Sequence, residues 1–140
     1  MIEPSAARLA AERAKVSDLK KLNQFINEMN DVVHHHKLPM ATELDFHCSI
    51  AKATKNPVVM RIIPVIMDAI IKTYRDAPRK TEDHQAALEE HRRILAGIEA
   101  HNPEEAQAAM RYHLEETYKR TIKRGQLKQQ KNQTKTHRKT

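Results

Sequence analysis

The chain has 140 residues, with 25 Lys+Arg against 18 Asp+Glu, a net charge of +7, two Gly, one Cys and no Trp. That length suits one domain with its own core, while a lone Cys48 excludes a disulfide framework and fits a reducing cytoplasm. Scarce Gly and aromatic residues argue against a β-sandwich or barrel, and the most apolar stretch, 58–71, is too short for a bilayer and carries Arg61 and Asp68.

Helical periodicity covers most of residues 4–124. Pro4 fits the first turn of a helix, and the Ala-rich run to Ala14 has strong helix propensity. Ser17 is placed to cap a second helix, in which Leu19, Leu22, Ile26, Met29 and Val33 recur at three- and four-residue steps. His34-His35-His36-Lys37-Leu38-Pro39 breaks that pattern and reads as a loop. A third helix over 40–54 puts Met40, Leu44, His47, Ala51 and Thr54 on one face. Asn56-Pro57 ends it and starts the next, with Asn as cap and Pro as the first helical residue. This fourth helix, to about Arg75, is apolar nearly all round, as befits a helix central to a bundle or shared with a partner subunit. Pro64 within it predicts a kink.

A polar connection over 76–80 leads to a fifth helix, 81–101, with His84, Leu88, His91, Leu95 and Ile98 on one stripe. Asn102-Pro103-Glu104-Glu105 restarts the chain with a cap, a Pro and two acids at the positive helix end. The last helix, to about Arg124, turns Ala106, Ala109, Met110, His113, Leu114 and Thr117 inward. Short polar connections favour antiparallel neighbours, so the predicted fold is all-α, an antiparallel bundle of about six helices over 1–124.

The net charge is unevenly placed. Residues 119–140 hold nine basic side chains and no acid, leaving 16 basic and 18 acidic ones, a net of −2, in the rest. Beyond Gly125 the chain is Gln, Asn, Thr and Lys with a single apolar Leu127, so 125–140 reads as a disordered basic tail. A solvated tail is preferred there over non-specific nucleic-acid contact.

Nine histidines is a large number for this length, and three of them, His47, His91 and His113, lie within the apolar stripes of three different helices. One inward imidazole is usually a hydrogen-bonded core residue; three in one small bundle point to a metal site built from facing helices. Glu43 precedes His47 by one helical turn and reaches the same point, whereas Asp45 points elsewhere. One carboxylate and three neutral imidazoles suit Zn²⁺ or Ni²⁺, with Mn²⁺ behind them. His84, two turns before His91, is placed to line a cavity beside them, and His34, His35 and His36 read as solvated. A zinc hydrolase needs a separate general base, and no H-E-x-x-H is present; a di-iron bundle needs paired Glu-x-x-His motifs, also absent. Binding of a small carboxylate at an open metal position is the remaining reading.

Several segments resemble the FadR C-terminal (FCD) ligand-binding domain of GntR-family bacterial transcription regulators. They are Glu3-Pro4-Ser5-Ala6-Ala7-Arg8-Leu9-Ala10-Ala11, Phe46-His47-Cys48-Ser49-Ile50-Ala51 through Asn56-Pro57, Glu90-His91-Arg92-Arg93-Ile94, and Pro103-Glu104-Glu105-Ala106 through His113-Leu114. The resemblance spans about residues 2–120 and implies an antiparallel helical bundle that dimerises and senses small organic acids. It implies a divalent metal held by an Asp and three His, which fall here at Glu43, His47, His91 and His113, with Glu longer by one methylene. It also places Asn56 near the ligand pocket. Regulators of this type carry an N-terminal winged helix-turn-helix that this chain lacks, so DNA contact is expected only through such a domain, and the chain reads as a fragment of a regulator.

The expectation is therefore an effector-sensing domain of a cytoplasmic regulator, a homodimer and not an enzyme, with Arg13 or Arg75 as second contacts to a carboxylate effector. The alternative is a small helical metalloenzyme using the same ion for hydrolysis. A third reading is salt-sensitive nucleic-acid binding through 119–140.

Overall fold

The computed structural model describes residues 2–35, 40–75 and 80–137. Among them are six α-helices: α1 (Ile2–Arg13), α2 (Val16–His35), α3 (Met40–Ala53), α4 (Pro57–Arg75), α5 (Thr81–Glu99) and α6 (Pro103–His137). The bundle is all-α, as expected from the 3.6-residue periodicity. None of the helices among the described residues is long and apolar enough to cross a membrane.

Helix α1 runs through the centre of the bundle. It packs on α6, α3 and α5 and touches α4, while α5 lies against α6 and α2, and α3 against α2 and α4. Its buried face is built of Ala6, Ala7, Ala10 and Ala11, none more than 2% exposed, so neighbouring helices approach it closely. The bulk comes from around it: Leu22, Phe25, Ile26 and Met29 of α2, Phe46 and Ile50 of α3, Leu88, Ile94, Leu95 and Ile98 of α5, and Met110 of α6. Each fully buried side chain of this size contributes about 1.5–3 kcal/mol relative to exposure. A smaller cluster, Ala6, Ala51, Val59, Ile63 and Met67, seats α4.

The helix ends follow local chemistry, with three departures from expectation. Ser17 is not the cap of α2. The helix begins at Val16, and the carboxylate of Asp18 accepts the Lys15 N–H at 2.8 Å, so an acid in the first turn takes the capping role. His34 and His35 are not in a loop but in the last turn of α2, their Nδ1 atoms 2.8 and 2.7 Å from the carbonyls of Asn30 and Asp31. Each imidazole thus folds back on the carbonyl one turn before it, adding a second contact to a group already in the helix ladder; His36 lies outside the described residues. The third departure is α6, which continues past Arg124 to His137, so the tail expected to be disordered is helical as far as that residue. Its side chains over 125–135 are all exposed. Gln, Lys and Leu are good helix formers, and extending a formed helix adds one bond per residue without a new nucleus, which offsets the cost of about 1 kcal/mol at Gly125.

The turn between α5 and α6 matters most for the site. His101 adopts φ 49°, its N–H bonds the Ile98 carbonyl at 3.0 Å, and the Asn102 N–H bonds Gly97 O at 3.0 Å. This is a Schellman closure with a non-glycine residue in the left-handed position. Asn102 then caps α6, its side-chain oxygen accepting the Glu105 N–H at 3.1 Å. His101 Nδ1 lies 2.8 Å from Ala11 O, pinning the turn to α1.

Candidate metal centre

Three helices each deliver one imidazole to a single buried point. His47 (α3), His91 (α5) and His113 (α6) are 3%, 0% and 2% exposed. His91 Nε2 sits 3.2 Å from His47 Nε2 and 3.1 Å from His113 Nε2. Glu43, one turn before His47 and half-buried, brings a carboxylate oxygen to 3.9 Å from His91 Nε2. One ligand atom from each of the four residues lies within 4.8 Å of every other. These are the four residues that the spacing argument singled out. Phe46 closes one wall, its ring centroid 4.9 Å from that of His91.

The arrangement has the properties of a cation site. His113 Nδ1 donates to Glu90 Oε2 at 2.6 Å, and His47 Nδ1 lies 3.2 Å from Glu3 Oε1. Both contacts favour the Nδ1–H tautomer, which leaves bare Nε2 lone pairs facing the Nε2 of His91. A single N–H on His91 cannot serve two such neighbours well, whereas a cation among them can. Donor atoms about 2.1 Å from a metal are spaced about 3.0 Å apart in an octahedral shell and about 3.4 Å in a tetrahedral one, a range that brackets the two observed separations. The charge also fits. Each imidazole has a carboxylate beside it, Glu3 at His47, Glu43 at His91 and Glu90 at His113, with Arg120 paired to Glu90, a surplus of negative charge that favours a cation. Glu3 is only 5% exposed, and neither of its carboxylate oxygens has a well-formed hydrogen bond. A buried carboxylate of this kind is costly unless positive charge stands nearby. This set of residues can hold a divalent metal ion.

Protonation states agree. Burial pushes the His113 imidazole below the ordinary histidine value against the opposing pull of Glu90, which keeps it neutral, the form a metal requires. Burial pushes the Glu90 carboxyl up, but hydrogen bonds from His113 and Arg120 outweigh it and hold Glu90 below the usual carboxylate range. Glu3 is likewise raised by burial and lowered further by His47, with a net lowering.

The other candidates are not part of this cluster. Asn56 caps α4, its side-chain oxygen accepting the N–H groups of Val58 at 3.0 Å and Val59 at 3.4 Å. Arg13 is exposed and donates to the Thr54 carbonyl at 2.9 Å, closing the end of α3. His84 is half-buried on α5 and is not one of the four converging residues. Arg75 ends α4, and its side chain lies outside the described residues.

Sequence reasoning missed Glu3, Glu90 and Arg120. The signal was present. Glu3 continues the stripe of Ala7, Ala10 and Ala14; Glu90 falls between Ala87 and Ile94; Arg120 follows His113 and Thr117 on the inner face of α6. A charged residue interrupting an apolar stripe marks a buried charge with a purpose.

Comparison with known proteins agrees with the fold. A family model for the FCD domain matches residues 1–116. The transcriptional regulator LutR of Bacillus subtilis (strain 168) is 28% identical over 119 residues, covering 81% of this chain and 54% of its own length. The Uxu operon regulator of Haemophilus influenzae is 27% identical, covering 82% and 45%, and the transcriptional repressor NanR of Enterobacter sp. (strain 638) is 28% identical, covering 80% and 44%. Among solved structures, a Streptococcus agalactiae GntR chain superposes with a TM-score of 0.71 at 28% identity, covering 83% of this chain and 52% of that one. The chain thus spans about half the length of the relatives it matches.

Proposed function

This chain belongs to the FCD domain family, and from that premise we propose that it is the effector-sensing and dimerisation domain of a GntR-type transcription regulator. Its effector is a small carboxylate, bound at a divalent metal held by Glu43, His47, His91 and His113, with Zn²⁺ or Ni²⁺ preferred and Mn²⁺ behind them. The observation that carries this reading is the convergence of three buried Nε2 atoms and one carboxylate on a point enclosed by three helices. The ion supplies Lewis-acid positions for a carboxylate; the chain's own residues fix the imidazole tautomers, exclude water and balance charge. Relatives named as regulators, together with the lack of a general-base motif beside the histidines, favour sensing over the metalloenzyme alternative. DNA contact belongs to a winged helix-turn-helix elsewhere in the regulator, and the setting is the cytoplasm.

The test is thermal stability. Chain stripped with chelator and dialysed is titrated with Zn²⁺, Ni²⁺ or Mn²⁺, then with acetate, glycolate or succinate. At a hundredfold excess over Kd a native-state ligand adds about 2.7 kcal/mol, on the order of 10 °C in Tm for a domain of this size. A carboxylate should add a further rise only after metal has been loaded. An equal carboxylate shift in the stripped protein would place the effector elsewhere, and no metal shift at all would refute the site.

Dimerisation is assigned to α4. Its inner face is seated by Val59, Ile63 and Met67, yet Val58, Ile62 and Val65 form a second apolar stripe that is 61%, 38% and 70% exposed. A continuous apolar stripe of this kind marks an association surface. Val65→Glu is expected to convert a dimer to a monomer in size-exclusion chromatography with light scattering, leaving helix content and Tm of the monomer unchanged. A variant that stays dimeric would move the interface to another face.

A further inference from the structure

Resting on the metal reading above, we propose that Glu90 and Arg120 are positioning residues of the metal centre. They hold His113 in its ligating tautomer and make the two turns of α6 that follow His113 part of the site.

Glu90 is 7% exposed and works in two directions. Toward the site, its Oε2 accepts the His113 Nδ1–H at 2.6 Å. Away from it, Oε1 and Oε2 accept Arg120 Nη1 and Nη2 at 2.7 and 2.8 Å, a bidentate fork. Arg120 is itself steadied by Thr117, whose Oγ1 lies 3.3 Å from Nη2. A lone carboxylate against an imidazole can rotate or compete for the proton. A carboxylate held in a planar fork keeps one oxygen aimed at Nδ1 and remains an acceptor. The proton therefore stays on Nδ1, and the Nε2 lone pair points at the cluster.

The arrangement also ties the metal to helix continuity. Arg120 lies two turns beyond His113 on the same face of α6, so it reaches Glu90 only if α6 is helical through both. A second clasp one turn on, Arg124 Nη1 to Asp83 Oδ2 at 3.2 Å, holds the same pair of helices. By linkage, whatever favours the His113–Glu90 bond favours an ordered α6 over 113–124, and the reverse holds equally.

The experiment measures Zn²⁺ affinity by competition with a chromophoric chelator and, separately, urea stability of the metal-free chain. Glu90→Gln, which is isosteric, should weaken Zn²⁺ about 10–100-fold. Arg120→Met should weaken it less, and Arg120→Lys should recover part of the loss, with the Glu90→Gln Arg120→Met double variant no worse than Glu90→Gln alone. In the wild type, Zn²⁺ should slow amide hydrogen exchange over 113–124. Wild-type affinity in Glu90→Gln, alongside loss of binding in His91→Ala, would overturn the positioning role and leave the metal site standing. No Zn²⁺ binding by the wild type would overturn both. If Glu90→Gln fails to fold, ¹⁵N histidine spectra of the metal-free wild type decide: Nδ1–H on His113 supports the proposal, and Nε2–H overturns it.

Discussion

His91→Ala is expected to abolish metal retention. His91 is the middle of the cluster, with its Nε2 3.2 Å from one imidazole nitrogen, 3.1 Å from the other and 3.9 Å from the Glu43 carboxylate. A four-ligand protein site binds zinc with about 10–16 kcal/mol, so one ligand in four is worth roughly 3 kcal/mol, or about two orders of magnitude in affinity. The substitution also removes a ring that is fully buried and packed against Phe46 and His113. The cavity costs on the order of 2–4 kcal/mol of stability, reduced by relief of the crowding among lone pairs. The two effects separate experimentally. Metal content after dialysis against a weak chelator should fall from about one ion per chain to a small fraction, while urea unfolding in strong chelator reports the packing loss alone. Full metal content in a folded His91→Ala chain would refute the proposed ligand set.

The second large effect is expected far from any ligand. At Gly97 a Cβ would stand 2.7 Å from the Ala106 nitrogen and 2.9 Å from its Cα. These are backbone atoms of the first turn of α6, and they cannot swing aside as a side-chain end would. The neighbouring closure fixes them further, since the Gly97 carbonyl accepts Asn102 N–H and Asn102 caps α6. Gly97→Ala must therefore push α6 off α5 or open the turn, a cost of about 2–3 kcal/mol or more despite the better helix propensity of Ala. Equilibrium urea unfolding of the metal-free chain should show a lower midpoint at unchanged slope. Zn²⁺ affinity should fall as well, because Ala106 and His113 are two turns apart on the same face of α6, and displacing one displaces the other. A variant as stable as wild type would mean that α6 has room to move that the packing at Ala106 denies.

Much of this was legible in the residues. Helical periodicity gave six helices, and Asn56-Pro57 and Asn102-Pro103 marked two junctions to the residue. Three inward histidines on three stripes and a Glu one turn away gave all four converging side chains. Such features are local: a stripe and a one-turn spacing depend only on the 3.6-residue repeat. Where local signals competed, the sequence was misread. Ser17 and Asp18 both offer a cap to α2, and the choice falls to Asp18 because its side chain reaches back to Lys15. The Gln- and Lys-rich segment after Gly125 lacks a core to bury, which argues for disorder, yet it follows a formed helix that it can simply extend.

The composition that began as a net of +7 also divides along this line. By itself the sequence determined the helical class, the separation of a −2 body from a basic end, and the identity of the inward imidazoles, since each follows from chain order and period. Only the tertiary structure decided that Glu3 of α1 meets His47 of α3, that Glu90 of α5 meets His113 and Arg120 of α6, and that Arg13 and Asn56 close helix ends. Those contacts depend on how whole helices are rotated and staggered against one another. That is set by the summed packing of Ala faces against bulky ones, which no single segment of sequence contains.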